Sequence, residues 1–81
     1  MKILKFYSKT CGPCKTIDEN LKKANIEYVA IDVEDDNNEE LVDKYSIRGI
    51  PTLIKLDDKD EVIAKHTGYM SIEQLINWCK E

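Results

Sequence analysis

Ile3-Leu4-Lys5-Phe6-Tyr7-Ser8-Lys9-Thr10-Cys11-Gly12-Pro13-Cys14 is the stretch that decides how this chain folds. Ile3 to Tyr7 is short, apolar and aromatic, with Leu4 and Phe6 on one face, and reads as a β-strand. Beyond the polar Ser8-Lys9-Thr10, apolar positions fall at Cys14, Ile17, Leu21 and Ala24, in steps of three, four and three. That spacing is one stripe of an α-helix. Pro13 lies in its first turn, where a missing N–H is harmless. Cys11 therefore sits at the N-terminal edge of the helix, and Cys14 on its buried side.

This placement has chemical consequences. Helix positions i and i+3 are neighbours, so Cys11 and Cys14 can close a disulfide with little backbone movement. The unsatisfied N–H groups and the macrodipole at a helix start favour an anion by ~0.3–2 kcal/mol. A thiol of ordinary pKa ~8.5 can thereby fall to about 7, and its thiolate becomes a better leaving group. Cys11 is expected to be the exposed nucleophile that attacks a substrate disulfide, and Cys14 the thiol that resolves the mixed disulfide. Gly12 keeps the approach free of a side chain, and Pro13 fixes the turn.

Outward from this centre, Ile26 to Val33 alternates as a second strand, joined to the first by the helix and hence parallel to it by a right-handed crossover. Asn37, with Glu40 three residues on, is the expected N-cap of a short helix that turns Leu41, Val42 and Tyr45 inward. Thr52 to Leu56 and Glu61 to His66 read as two further strands, antiparallel across the polar loop Asp57 to Asp60. Ser71 and Gln74 form a capping box for a last helix, with Met70 and Leu75 as its hydrophobic staple. Ile72, Leu75, Ile76 and Cys79 make its predicted apolar face. The expected architecture is α/β, in the order βαβ-α-ββα: a four-stranded mixed sheet flanked by three helices.

With 81 residues, the chain is expected to be one domain spanning 1–81. Twelve basic against sixteen acidic residues leave a net charge of −4, the wrong sign for a nucleic-acid backbone or an anionic membrane. No apolar run approaches the ~20 residues of a membrane span. The start Met1 to Tyr7 lacks the apolar core of a signal peptide. A cytosolic monomer is expected. Three cysteines in a reducing compartment fit one working pair and one bystander. A zinc site completed by His66 and Cys79 is the competing use of these thiols, and Cys79, on the apolar face of a distant helix, weighs against it.

Cys11-Gly12-Pro13-Cys14 after a strand, Arg48-Gly49-Ile50-Pro51-Thr52 before another, and Gly68 after the last strand together resemble the thioredoxin superfamily over nearly the whole chain. The resemblance implies a minimal thioredoxin-like fold and a cis Pro51 facing the two sulfurs. It also implies that the backbone of Ile50 pairs with an extended substrate segment. Thr10, Gly68 and Tyr69 would line the same groove, with Lys9 at its flank. The activity implied is protein-disulfide reduction through the Cys11–Cys14 couple, with no cofactor beyond that disulfide and no metal. Its expected partners are an NADPH-dependent thioredoxin reductase as donor and disulfide-containing proteins as acceptors. The alternatives are a glutathione-dependent glutaredoxin and a non-catalytic binding module of the same fold.

The chain also departs from the family. It starts directly at the active-site strand, as glutaredoxins do, and Thr10 stands where thioredoxins carry tryptophan. Thr67 to Ser71 lacks the Gly-Gly and Asp with which glutaredoxins hold glutathione. Lys5 occupies the position of the buried acid that thioredoxins place six residues before the first cysteine. Two expectations attach to it: a stem that snorkels until its ammonium reaches water, or a charge that modulates Cys14 by stabilising its thiolate.

Overall fold

Eight segments follow one another in the computed structural model, which describes all residues 1–81. They are β1 (Lys2–Tyr7), α1 (Gly12–Lys23), β2 (Val29–Asp32), a 3-10 turn (Asp36–Asn38), α2 (Glu39–Lys44), β3 (Thr52–Leu56), β4 (Val62–Thr67) and α3 (Ile72–Lys80). The strands form one sheet in the order β2-β1-β3-β4. β1 runs parallel to β2, and the pairs β1–β3 and β3–β4 are antiparallel. The βαβ-α-ββα order and the mixed four-stranded sheet are as the sequence implies.

Alternation along β1 divides the interior into two layers. Ile3 joins Ile17 and Leu21 of α1, Leu53 of β3, Met70, and Leu75 of α3 on one face. Leu4 and Phe6 join Ile31, Ile54 and Leu56 on the other. There α2 covers them with Leu41, Val42 and Tyr45, the Tyr45 ring meeting Phe6 edge-on at 6.0 Å. All of β3 is buried, which suits an inner strand covered on both faces.

Both α1 and α2 stop without glycine. Asn25 and Ser46 take positive φ, 57° and 52°, just past the caps Ala24 and Tyr45. The following N–H groups turn back in the Schellman pattern, from Ile26 to the Leu21 carbonyl at 3.0 Å and from Ile47 to the Val42 carbonyl at 2.9 Å. Asn tolerates this conformation, but at Ser46 the Cβ costs about 1–2 kcal/mol, which the packing of α2 offsets. α3 begins with the full capping box between Ser71 and Gln74.

Four local expectations need correction. β2 is shorter than Ile26 to Val33, because Ile26 is used to end α1 and pairing with β1 begins at Val29. β4 is displaced from Glu61–His66 to Val62–Thr67, since the Glu61 carbonyl accepts the Asp57 N–H to close the loop. Asn37 is not an N-cap: Asp35 accepts its N–H at 3.0 Å and starts a 3-10 turn, leaving α2 with no side-chain cap. On α3 only Leu75 is fully buried, while Ile76 is 36 % exposed. Trp78 packs on the core instead, its ring centre 5.0 Å from the ammonium of buried Lys55, which also donates to the Trp78 carbonyl at 2.6 Å. Lys55 also reaches the Glu81 carbonyl at 3.0 Å, a cation at the C-terminal end of a helix where the dipole favours it.

The left-handed stop of α2 yields a test. Ser46→Gly is expected to stabilise the chain by about 0.5–1 kcal/mol in urea unfolding, whereas Ser46→Ala gives no gain. Equal behaviour of the two variants would contradict the assignment of strain to this backbone position.

Candidate functional site

β1 delivers the chain from the sheet interior to its edge at Tyr7, and the short link Ser8–Cys11 turns it into α1. The Cys11 N–H closes that link onto the Ser8 carbonyl at 3.3 Å. Cys11 is the N-cap of α1, in extended conformation, with Pro13 in the first turn. Its sulfur accepts the Cys14 N–H at 3.1 Å, so one of the free N–H groups of the helix start is spent on this sulfur. The first turn carries no acidic residue to oppose an anion there. Cys11 and Cys14 are disulfide-bonded, with Cα atoms 5.2 Å apart. Cys11 is half-buried and Cys14 only 3 % exposed. A Cβ at Gly12 would meet nothing within 4 Å, so this side of the pair is open.

The Ile50–Pro51 peptide bond is cis, and Pro51 is buried. Gly68, with φ +107°, donates its N–H to the Pro51 carbonyl at 2.8 Å. The two loops carrying Pro51 and Gly68 are thus tied together. Thr52 reinforces the joint by donating to the Gly49 carbonyl at 2.5 Å and lying 3.1 Å from the Thr67 hydroxyl. Ile50 is half-buried against the α2-side core. Tyr69 is 55 % exposed, its hydroxyl 3.5 Å from the amide of Asn20. Thr10 is exposed, with its hydroxyl 3.4 Å from that of Ser8.

Lys5 does not reach water. It is 5 % exposed, and its ammonium donates to Asp18 at 2.8 Å, lying 4.9 Å from the ring centres of both Tyr7 and Tyr28. The snorkelling expectation fails because α1 presents a carboxylate at the right height. Asp18 also accepts from the Tyr28 hydroxyl and pairs with Lys22 at 3.2 Å. Burial works to raise the Asp18 carboxyl, but the hydrogen bonds from Lys5, Tyr28 and Lys22 outweigh it and hold the group at about 2. Burial, then donation to Asp18, pushes Tyr28 up to about 12. Lys5, Lys9, Cys14 and Asp18 all line one cavity of about 270 Å³. Asp18 and Tyr28 were absent from the sequence reading. The available signal was the spacing of Asp18, one turn beyond Cys14 on the face that looks toward Lys5.

No group of three or more His, Cys, Asp or Glu side chains is placed to hold a metal ion. Cys79 stays a free thiol, half-buried beside the core of α1 and α3. Burial pushes its pKa up against the opposing charge of Lys55. His66 lies near the Tyr69 carbonyl, at 3.4 Å.

The thioredoxin family model matches residues 1–81. Thioredoxin of Bacillus subtilis is 35 % identical over 89 % of this chain and 75 % of its own length. The SPbeta prophage-derived thioredoxin-like protein YosR of the same organism is 28 % identical over 85 % of this chain and 84 % of its own. Among solved structures, reduced Schistosoma mansoni thioredoxin pre-protein superposes with a TM-score of 0.78 at 30 % identity. That match covers 96 % of this chain and 74 % of that one.

The charge cluster predicts a pH profile of stability. Asp18 titrates at about 2 in the fold against an ordinary 3.8, so its contribution is complete above pH 3.8 and is lost as pH falls through about 2. Tyr28 titrates at about 12 against an ordinary 10.0, so its contribution is complete below pH 10.0 and is lost as pH rises through about 12. Thermal unfolding of Asp18→Asn across this range should show a flatter acid limb than the parent chain. An unchanged acid limb would contradict the cluster.

Proposed function

The chain belongs to the thioredoxin family and is a thiol–disulfide oxidoreductase, and from that premise we propose that it reduces protein disulfides with electrons from an NADPH-dependent thioredoxin reductase. The observation that carries this reading is the asymmetry of the cysteine pair: Cys11 half-buried and capping α1, Cys14 buried behind it.

In the reduced chain the Cys11 thiolate attacks one sulfur of a protein disulfide. A Cys11–substrate bond forms, and the other substrate sulfur leaves with the electron pair and takes a proton from solvent. Cys14 then attacks the Cys11 sulfur, and the second substrate sulfur leaves in the same way. Two electrons have passed to the substrate, and the chain is left with its Cys11–Cys14 disulfide. That disulfide is the redox group, and no further cofactor takes part. The flavoenzyme returns the electron pair from NADPH.

Pro51 faces the sulfurs in this reading, and the backbone of Ile50 pairs with the extended substrate segment as an added strand. Thr10, Gly68 and Tyr69 form the walls of that groove, with Lys9 at its rim, Gly12 leaving it open and Pro13 fixing the turn. Recognition through backbone suits a catalyst that accepts many proteins. The preference for a flavoenzyme over glutathione is supported by Thr67-Gly68-Tyr69-Met70-Ser71, which lacks the paired glycines and acid that would hold the tripeptide. We place the chain in the cytosol as a monomeric domain over 1–81.

Insulin reduction run with NADPH and thioredoxin reductase, then with glutathione and its reductase, tests the proposal. Turnover is expected with the first donor, and Cys11→Ser should drop it to background. Turnover with glutathione alone would assign the donor wrongly, and turnover with neither would favour a binding module.

A further inference from the structure

We infer that Lys5 and Asp18 set the proton affinity of Cys14 in opposite directions, making Asp18 a positioning residue for the resolving step. The inference deepens the proposed function and rests on Cys14 as the resolving thiol.

Topology brings the three groups together. Lys5 shares the α1-facing side of β1 with Ile3, by the period of two along a strand, while Cys14 and Asp18 stand one turn apart on α1. All three line the same cavity. Lys5 is almost fully enclosed, and its ammonium is fixed by Asp18 at 2.8 Å. The Asp18 side chain is 26 % exposed, so the pair is partly buried, and such a pair is screened less than one on the open surface. A thiolate forming at Cys14 would therefore feel the cation and its counter-charge together.

The other charged or titratable groups around the cavity are a constant background to this pair. Tyr7 offers its ring to Lys5 from β1, and Tyr28 donates its proton to Asp18. Lys9 and Lys15 line the mouth from exposed positions, and Lys22 pairs with the outer oxygen of Asp18. Asp18 itself is too weak a base to accept the thiol proton near neutrality. The Cys14 proton therefore goes to solvent, and the pair acts through its field. Cys14 then bonds to the Cys11 sulfur, the Cys11–substrate bond breaks, and the departing substrate thiolate takes up a proton. Lys5 lowers the cost of the first event by stabilising the thiolate, and Asp18 limits that effect.

Removing one charge at a time separates the two influences. Asp18→Asn leaves the ammonium uncompensated and should lower the Cys14 pKa by about one unit; Lys5→Met leaves the carboxylate and should raise it by about one unit. The double variant should return close to the parent value. The pKa is read from the Cβ carbon chemical shift of Cys14 in a Cys11→Ser background, where Cys79 does not interfere. The reduction potential of the intact Cys11–Cys14 pair should rise in Asp18→Asn and fall in Lys5→Met, because whatever stabilises the thiolate stabilises the reduced form.

Shifts of opposite sign establish the inference, since loosened packing would move both variants the same way. Shifts of the same sign, or none, overturn it. Should Asp18→Asn fail to fold, Asp18→Ser takes its place beside Lys5→Met: a fall in the first with a rise in the second supports the inference, and any other pair of shifts ends it. Neither readout needs a substrate or a donor. A failed insulin assay with opposite pKa shifts would count against the proposed function only.

Discussion

The N–H of Cys14 reaches back 3.1 Å to the sulfur of Cys11, and the chemistry of this chain depends on that one contact. It exists because α1 begins where it does. β1 ends at Tyr7, a short link reverses the chain, and Pro13 in the first turn fixes the helix start. The free N–H groups of a helix start attract an anion. A sulfur held there leaves readily as a thiolate, which is what exchange with a second polypeptide requires. The same helix carries Cys14 to its buried side, with Ile17 and Leu21 along the same stripe. One element thus presents one sulfur and shelters the other.

The core on one face of the sheet holds that helix through Ile17 and Leu21, and the core on the other face takes in Ile50 of the Pro51 loop. β3 is buried throughout and begins directly after the cis peptide bond. β4 returns the chain to Gly68, whose N–H is tied to the Pro51 carbonyl. The Cys11 and Pro51 loops are therefore anchored by the inner strands β1 and β3, and the Gly68 loop at the end of β4 is tied to them through Pro51.

Much of this was legible in the sequence, for physical reasons that can be named. Periodicity gave α1, whose buried stripe leaves a trace in the residues, while β1 and β3 read as short apolar runs bounded by polar or turn residues. The capping box at Ser71 announced α3, since it is a pattern of side chains. What escaped were features made by partners distant in sequence. The stops at Asn25 and Ser46 are left-handed turns without glycine; Asn25 is a residue type that tolerates such a stop, whereas nothing in the sequence marks Ser46. Trp78 packs on the core where Ile76 was expected, with its ring against the ammonium of Lys55 from β3. Asp18 belongs to no motif, and only the fold sets Lys5 against it. The cysteine pair and the Gly49-Ile50-Pro51 loop were readable as motifs. The charge pair beside Cys14 required the third dimension. A polar cluster of this kind has no local signature, yet partly buried its field is screened less than that of a surface pair.

The central claim is that Cys11 is the sulfur that exchanges with a substrate, and trapping tests it most directly. Cys14→Ser protein, incubated with a disulfide-bonded protein and mapped by mass spectrometry, should yield a covalent adduct through Cys11. An adduct through Cys79, or none at all, would contradict the account.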